Sequence, residues 1–321
     1  MQGIAVLPME PLMKKAKLLS LHTAPGARGL HTGAKVLVQA LAMTAWMAAS
    51  TAWAQSTLEK VKSRSMLVVG YREDAAPFSM ADGKTPAGYS IDLCAPIIER
   101  IGQASGAKNL RVVFQAVEPE RAVNLLKSGA IDLVCANMSD TEARRQLVAF
   151  SPPIYYAALR VLVRSGDKLA SVDQLAGKSV ATIGGTTAPG SLASYAALKG
   201  LKWQVTRVLQ HEAAMSQLEL GQVAGYARDD VLLMRSLQTL KNPADFMLLP
   251  ERLSAEPIAI AYRQADPTLQ KLVDLSVVEA MRNGLLQSSY DKWFVKPVAP
   301  SGKALNLPMP AELSALLAAA K

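Results

Sequence analysis

Short strand-like and helix-like segments alternate along the chain from residue 65 onward, and this alternation limits the fold more than any other feature. Segments such as 66–70 are short and apolar, which is typical of buried strands. Segments such as 90–104 repeat apolar residues at helical spacing. Because such alternation is typical of βαβ units around a mostly parallel sheet, the sequence predicts an α/β fold.

The alternating segments form two series of similar plan. The first series contains strands at 66–70, 110–117 and 130–136 and helices at 90–104 and 121–129. The second contains strands at 178–184, 203–209, 223–227 and 246–250 and helices at 190–200, 212–221 and 231–240. An extended, β-rich stretch at 155–167 separates the two series. We therefore expect two α/β lobes.

The segments after the second series are expected to return to the first lobe. An extended stretch at 256–263 leads into helices near 268–283 and 286–294, which are too few for a third domain. The lobes would then be joined by two extended crossings, at 158–164 and 253–260, an arrangement that can close around a ligand by hinge motion. The predicted boundaries are a leader at 1–54, lobe 1 at 55–159 and 255–321, and lobe 2 at 160–254, with the proline-rich tail 296–310 wrapping the surface.

The first 54 residues have the plan of a cleaved secretory signal. Basic residues precede the apolar run "VLVQALAMTAWMAAS", the A-x-A site at Ala52–Ala54 follows, and Met13 is a second candidate start. The alternative is a membrane anchor, but a run of about 15 residues is shorter than the roughly 20 that a spanning helix needs. The sequence therefore predicts an exported protein that is cleaved near Ala54.

Charge and the scarcity of cysteine and histidine exclude several classes of protein. Residues 1–54 hold five basic side chains and one acidic one, so the remaining chain has a net charge of +5. It has no basic block interleaved with aromatic residues, which disfavours nucleic-acid binding. Beyond the leader, His211 is the sole histidine and Cys94 and Cys135 are the only cysteines, so we expect no metal and no cofactor. Whether the two cysteines pair stays open, because their separation along the chain does not place their Cα atoms.

Candidate binding residues lie in the turns that follow strands, because ligands of open α/β sheets bind beyond the carboxyl ends of the strands. Arg72 follows the first strand and is either a solvated surface residue or part of a site. In the second turn, Ser139 and Glu142 fit a capping box, but a cap alone does not explain Arg144. A carboxylate bound at the helix start would explain both Ser139 and Arg144, through free N–H groups and an arginine fork. Arg145 should point about 100° away, into solvent.

Three later turns carry further polar side chains. The glycine-rich turn that contains Thr186 and Thr187 lacks the Gly-Lys-Ser/Thr ending of a phosphate loop, but its hydroxyl and N–H groups suit a carboxylate. His211 begins a helix after a strand and is either structural or ligand-binding. Asp229 and Asp230 follow the next strand, where one of them either caps a helix or pairs with a ligand ammonium. Together, the turns suit a zwitterion with an additional negative group.

Motifs along the chain resemble those of the periplasmic solute-binding proteins of ABC amino-acid importers. The matching stretches lie between Thr57 and Pro310 and include "LVVGYREDAAPFS", "GYSIDLC", "ERAVNLLKSGAIDLVCANMSDTEARRQLVAFS", "LAGKSVATIGGTT" and "YDKWF". The resemblance is strongest to the glutamate/aspartate-binding branch. It implies the type II periplasmic-binding-protein fold, with two α/β lobes joined by two hinge crossings. It also implies a monomeric periplasmic receptor that binds an acidic L-amino acid and delivers it to a membrane permease.

The resemblance assigns the head group of the ligand to residues from several turns. Arg144 would hold the α-carboxylate, assisted by Thr186 and Thr187. Asp229 would take the α-ammonium. Ser139 would add a hydroxyl contact beside Arg144.

The side chain of the ligand would be bound by a separate set of residues. In the acidic-ligand branch its carboxylate meets arginines and a histidine, which match Arg72, Arg121 and His211. The paired cysteine positions of the branch match Cys94 and Cys135. The resemblance therefore implies both an acidic ligand and a disulfide.

Three residues depart from the pattern of the branch. Asn137 replaces a serine in the binding turn, where we keep it among the ligand-binding residues. Asp140 adds a negative charge near the site, and Arg228 is an extra arginine. These changes leave the ligand open between glutamate, aspartate, glutamine, asparagine and a related compound.

Two other functions fit the same fold. An exported enzyme, similar to cyclohexadienyl dehydratase, would use His211 and Asp229 as an acid–base pair. Turnover of a candidate substrate would favour that function. The second alternative is a sensing module, which would present the ligand to a receptor. A permease gene next to the gene of this chain would favour transport over sensing.

Overall fold

The computed structural model describes residues 56–298 and 302–320. The predicted leader at 1–54 and its cleavage site lie outside the described residues. In the described part of the chain, no helix is both long enough and apolar enough to cross a membrane.

The described residues form a mixed α/β structure. The strands are β1 (Met66–Tyr71), β2 (Asp74–Ala75), β3 (Ser79–Met80), β4 (Arg111–Ala116), β5 (Leu133–Val134), β6 (Ala149–Phe150), β7 (Tyr155–Arg164), β8 (Ser179–Ile183), β9 (Gln204–Val208), β10 (Gly225–Asp229), β11 (Phe246–Leu248), β12 (Ser254–Ile258), β13 (Ala261–Tyr262), β14 (Pro297–Val298) and β15 (Lys303–Ala304). The α-helices are α1 (Thr57–Arg64), α2 (Tyr89–Ser105), α3 (Pro119–Ser128), α4 (Glu142–Arg145), α5 (Ala188–Lys199), α6 (His211–Glu219), α7 (Asp230–Thr239), α8 (Pro267–Arg282), α9 (Leu285–Tyr290) and α10 (Ala311–Ala320).

Two sheets organise these elements into two lobes, as the alternation predicts. Lobe 1 is built on a sheet of order β4-β1-β5-β13-β6, in which β1, β4 and β5 are parallel and β13 is antiparallel to both neighbours. Lobe 2 is built on a sheet of order β11-β7-β10-β8-β9, with β12 also paired to β7. In lobe 2, β8, β9 and β10 are parallel and β7 is antiparallel to each of its partners. The chain therefore leaves lobe 1 after β6 and returns to it at β13.

The connections between the lobes lie closer to lobe 1 than the sequence predicts. The sequence predicts crossings at 158–164 and 253–260, but residues 158–164 lie inside β7 and residues 254–258 form β12. These two runs pair with each other, and β7 also pairs with β10. The connecting residues are instead 151–154 and 259–260. Hydrogen bonds join the two connections, since Ser151 N–H donates to the Ile260 carbonyl at 2.9 Å and Ile260 N–H donates to Ser151 Oγ at 3.1 Å.

A disulfide and the C-terminal tail consolidate lobe 1. Cys94 of α2 and Cys135, directly after β5, are bonded with their Cα atoms 6.3 Å apart. The last helix, α10, buries Leu313 and Leu317 in the largest apolar core. The tail also reaches lobe 2, because Arg235 of α7 donates to the Val298 carbonyl at 2.9 Å.

Candidate functional site

A cavity lies between the two lobes, and residues of both lobes line it. The polar side chains in its lining include Arg72, Asn137, Ser139 and Arg144 from lobe 1 and Thr186, Thr187, Arg228 and Asp229 from lobe 2. The predicted ligand-binding residues are thus brought together, with the exception of Arg121 and His211. Apolar residues such as Val117, Ala122 and Ile183 complete the walls.

The turn before Arg144 is capped differently from the prediction. Helix α4 begins at Glu142, and the Thr141 hydroxyl accepts the hydrogen bond from the Arg144 N–H at 3.3 Å. Ser139 is not the cap, because its extended backbone forms an isolated bridge with Ile258. Ser139 nevertheless lines the cavity, a position that the capping-box pattern alone does not predict.

The guanidinium of Arg144 lies between main-chain carbonyls of the two lobes. Its Nη1 donates to the Ser139 carbonyl at 2.8 Å, and its Nη2 donates to the Gly185 carbonyl at 3.0 Å. Burial lowers the pKa of Arg144, although the charges of Glu256 and Asp229 oppose this shift. Because both direct hydrogen-bond partners are neutral, the partly buried positive charge is well suited to an anionic ligand group.

Arg145 has a different role from its neighbour. Its Nε and Nη2 each donate to a carboxylate oxygen of Asp140 at 2.6 Å. The Asp140 side chain is only 1% exposed, whereas that of Arg145 is 65% exposed. Arg145 is therefore exposed to solvent, as expected, but its guanidinium also forms an ion pair. The negative charge of Asp140 is paired rather than left facing a ligand.

The glycine-rich turn positions the start of α5 at the cavity. Thr186 donates its hydroxyl to the Ile183 carbonyl at 2.7 Å, and Thr187 donates its hydroxyl to Glu256 Oε2 at 2.7 Å. Each hydroxyl proton is thereby donated within the protein, so in this arrangement the hydroxyls do not donate to a carboxylate, as the sequence predicts that they would. The first N–H groups of a helix lack partners within the helix, so the start of α5 can donate to an anion here.

Asp229 lies at the end of β10 and meets lobe 1 through Asn137. The Asn137 side-chain amide donates from Nδ2 to Asp229 Oδ2 at 2.9 Å. Burial raises the pKa of Asp229 to about 6, opposed by the Asn137 hydrogen bond and the charge of Arg228. Asn137 Oδ1 is buried and has no hydrogen-bond partner among the described residues. The pair therefore offers two acceptors, from Asp229 and Asn137, to a donor such as an ammonium group.

Arg121 and His211 lie outside the lining of the cavity. Arg121 is exposed in the first turn of α3. His211 Nδ1 lies 3.3 Å from the Tyr226 hydroxyl. Burial, together with the charges of Arg228 and Arg72, lowers the pKa of His211 to about 3, against the opposing charge of Asp74. The imidazole is consequently neutral near pH 7 and supplies no positive charge.

Arg228 also lines the cavity, although the sequence identifies it only as an extra arginine and not as a binding residue. It is 5% exposed, and its Nη2 donates to the Asp74 carbonyl at 2.8 Å. A charged residue at the end of an otherwise apolar strand, "VAGYARDD", was the signal that could have placed it in the site. Its partner could not be foreseen, because Asp74 lies in the other lobe.

Comparison with known proteins places these observations in a family. The sequence profile of the bacterial extracellular solute-binding proteins, family 3, matches residues 67–296. The L-glutamate/L-aspartate-binding protein of Pseudomonas aeruginosa is 30% identical over 264 residues, which cover 82% of this chain and 87% of that protein. The glutamate/aspartate import solute-binding protein of Escherichia coli K12 is 27% identical over 264 residues, with coverage of 82% and 87%.

Solved structures with the same architecture include amino-acid-binding proteins. An ancestral arginine-binding protein bound to arginine superposes with a TM-score of 0.63 at 28% identity, covering 72% of this chain and 99% of that one. The same comparison gives a TM-score of 0.63 at 28% identity for an ancestral arginine-binding protein bound to glutamine, with 72% and 98% covered. The two-lobed fold is thus shared with structures that hold different amino acids, arginine in one and glutamine in the other.

Proposed function

Since this chain belongs to family 3 of the bacterial extracellular solute-binding proteins, we propose that it is the periplasmic receptor of an ABC amino-acid importer. It binds an acidic L-amino acid between its lobes, closes around it, and delivers it to a membrane permease. The observation that carries the proposal is the cavity between the lobes, which presents Arg144 and Asp229 to one ligand. Opposite charges in one closed cavity are complementary to a zwitterion.

The head group of an amino acid fits the two charged ends of this site. The α-carboxylate accepts hydrogen bonds from Arg144 and from the N–H groups at the start of α5. The α-ammonium donates to Asp229 and to the unpartnered Oδ1 of Asn137. Both interactions satisfy buried polar groups that otherwise carry a desolvation cost.

The preference for an acidic side chain rests on the remaining charges. Arg72 and Arg228 both line the cavity, and His211 is neutral. The similarity to glutamate- and aspartate-binding proteins supports the same preference. A dehydratase-like enzyme has less support, because the structure pairs His211 with Tyr226 rather than with Asp229.

Calorimetric titration of ligand-free protein tests the proposal directly. The panel is L-glutamate, L-aspartate, L-glutamine, L-asparagine and L-arginine, each added to protein refolded after removal of carried-over ligand. We expect one-to-one binding with glutamate or aspartate as the tightest ligand. Binding of a neutral or basic amino acid alone would keep the receptor and overturn the acidic preference. Absence of binding to the whole panel would overturn the proposed function.

Affinity is expected to depend on pH through Asp229. Its pKa is about 6 without ligand, and a bound ammonium favours the ionised carboxylate and so lowers that pKa. Binding then releases a proton below pH 6, so the affinity is constant above about pH 7 and falls by up to tenfold per unit as the pH falls through 6. Titrations between pH 8 and pH 5 measure this slope.

The matched variant for this dependence is Asp229→Asn. It should bind more weakly at every pH and lose the slope between pH 7 and pH 5. The ligand carboxylates and His211, whose pKa is about 3, do not titrate appreciably in that range. An unchanged slope in Asp229→Asn would show that another group is responsible.

Closure of the lobes depends on the absence of a side chain at Gly185. A Cβ at this position would lie 2.3 Å from the main-chain nitrogen of Glu120 in lobe 1, and φ is +71°. Gly185→Ala should therefore hold the lobes apart and weaken ligand binding by about 10- to 100-fold while the melting temperature changes little, because strain at one positive φ costs about 1 kcal/mol. Calorimetric affinity and thermal melting are the measurements.

Gly177→Ala is the matched control for this variant. Gly177 also has a positive φ, of +77°, but an added Cβ would meet nothing within 4 Å. It should show the same small loss of stability with unchanged affinity. Equal affinities for the two variants would contradict the closed arrangement as the binding form.

A further inference from the structure

Arg228 has one buried nitrogen without a partner in the cavity wall. Its Nη2 donates to the main-chain carbonyl of Asp74 at 2.8 Å and to Asp74 Oδ2 at 3.3 Å. Its Nη1 is buried and makes no hydrogen bond to any described residue. An unsatisfied N–H of a buried guanidinium is costly, so a ligand acceptor placed against it would be strongly favoured.

Asp74 fixes Arg228 and balances part of the local charge. Arg72 donates to both carboxylate oxygens of Asp74, from Nη2 at 2.5 and 2.8 Å. The two guanidinium groups and the single carboxylate carry one net positive charge, and the neighbouring His211 is neutral. This net charge matches one carboxylate on a ligand side chain.

We propose that Arg228 is a specificity-determining residue, which binds the side-chain carboxylate of the acidic ligand through Nη1. This inference rests on the proposed function, since it names the group that recognises the acidic side chain. Arg228 takes the place that the sequence resemblance gave to Arg121, which is exposed outside the cavity. Asp74 is the positioning residue, because it holds the guanidinium from the opposite lobe.

The arrangement also couples recognition to closure. Arg228 belongs to lobe 2 and Asp74 to lobe 1, and 154 positions separate them in sequence. The Asp74 contact therefore forms only when the lobes approach each other. Nη1 is then held in its place in the wall of the closed cavity.

Arg228→Gln tests the inference through a ratio of affinities. The variant keeps the Arg72–Asp74 pair, so Asp74 is not left unpaired. We expect the preference for L-glutamate over L-glutamine, or for L-aspartate over L-asparagine, to fall by roughly 10- to 100-fold, the loss expected for one hydrogen bond to a charged group. The amides should also bind more weakly, because the inter-lobe contact to Asp74 is lost for every ligand, but they should lose less affinity than the acids. Amide binding that is still measurable shows that the site is folded.

The cross-strand neighbour Arg160 provides the control variant. Arg160→Gln removes an arginine that is paired with Arg228 in the sheet but donates to the Leu249 carbonyl and does not line the cavity. It should leave the acid-to-amide ratio unchanged. An equal loss for acids and amides in Arg228→Gln, or an unchanged ratio, would overturn the inference.

The ligand panel separates this inference from the proposed function. If the unmodified protein binds no amino acid, the function itself fails. If it binds an acidic amino acid and the ratio persists in Arg228→Gln, only the role of Arg228 fails. Should Arg228→Gln not fold, Arg228→Met decides, because it keeps most of the side-chain length but has neither the charge nor an N–H donor. An acid-to-amide ratio within about threefold of that of the unmodified protein would overturn the inference.

Discussion

Replacing Arg144 with alanine is expected to weaken ligand binding by about 3–5 kcal/mol, which is at least a hundredfold in Kd. The α-carboxylate would remain in a desolvated cavity without its guanidinium partner. Among the described residues Arg144 donates to the neutral carbonyls of Ser139 and Gly185, so its removal breaks no direct bond to a protein carboxylate, although Glu256 and Asp229 lose a nearby positive charge. The melting temperature of ligand-free protein should therefore change much less than the affinity.

Isothermal titration with the preferred ligand measures this loss of affinity. Two further variants provide a control and an intermediate for comparison. Arg207→Ala removes an exposed arginine of β9 and should bind as the unmodified protein does. Arg144→Lys keeps the charge but not the planar fork, so its affinity should lie between those of Arg144→Ala and the unmodified protein. An affinity of Arg144→Ala within about threefold of the unmodified protein would remove Arg144 from the head-group site.

Loss of the Cys94–Cys135 disulfide is expected to lower the free energy of unfolding by about 4 kcal/mol. The bridge spans 41 positions, and closing a loop of that size in the unfolded chain accounts for about this free energy in the chain-entropy description. For a domain of this size the corresponding fall in melting temperature is about 10 °C. The double variant Cys94→Ala/Cys135→Ala, compared by denaturant unfolding, gives the value.

Reductant supplies the internal control for that experiment. Adding it should destabilise the unmodified protein to the level of the double variant and leave the double variant unaffected. Loss of the disulfide should change the ligand affinity less than the free energy of unfolding, because the disulfide does not line the cavity. Equal stability with and without reductant would show that the bridge does not stabilise the fold in solution.

The alternation of strands and helices predicted most of the fold, because apolar periodicity reports directly on which face of an element is buried. It placed the strand-to-helix turns that carry Arg144, Thr186 and Asp229. It did not identify residues 158–164 as part of a central strand. A run this apolar fits either an extended connection between the lobes or a central strand, and only its pairing with β10 and β12 distinguishes the two. Pairing between distant strands is not visible in local sequence.

Side-chain partners were harder to predict than element positions. Ser139 matched a local capping pattern, but the bridge to Ile258, far along the chain, fixed its backbone instead. The resemblance matches Arg121 to a residue that binds the ligand side chain, yet the side chain of Arg121 is exposed on α3. Arg228 and Asp74 meet across the two lobes, so neither local spacing nor composition could join them.

The position of β13 between β5 and β6 has a consequence for how the chain acquires its structure. Lobe 2 is one continuous segment, from β7 to β12, and can complete its sheet as soon as that segment is synthesised. Lobe 1 receives an interior strand only after all of lobe 2 has been made, so its sheet has a high contact order and closes late. In a growing polypeptide the second lobe would then fold first and the first lobe last, with the edges of β5 and β6 uncovered in the interval.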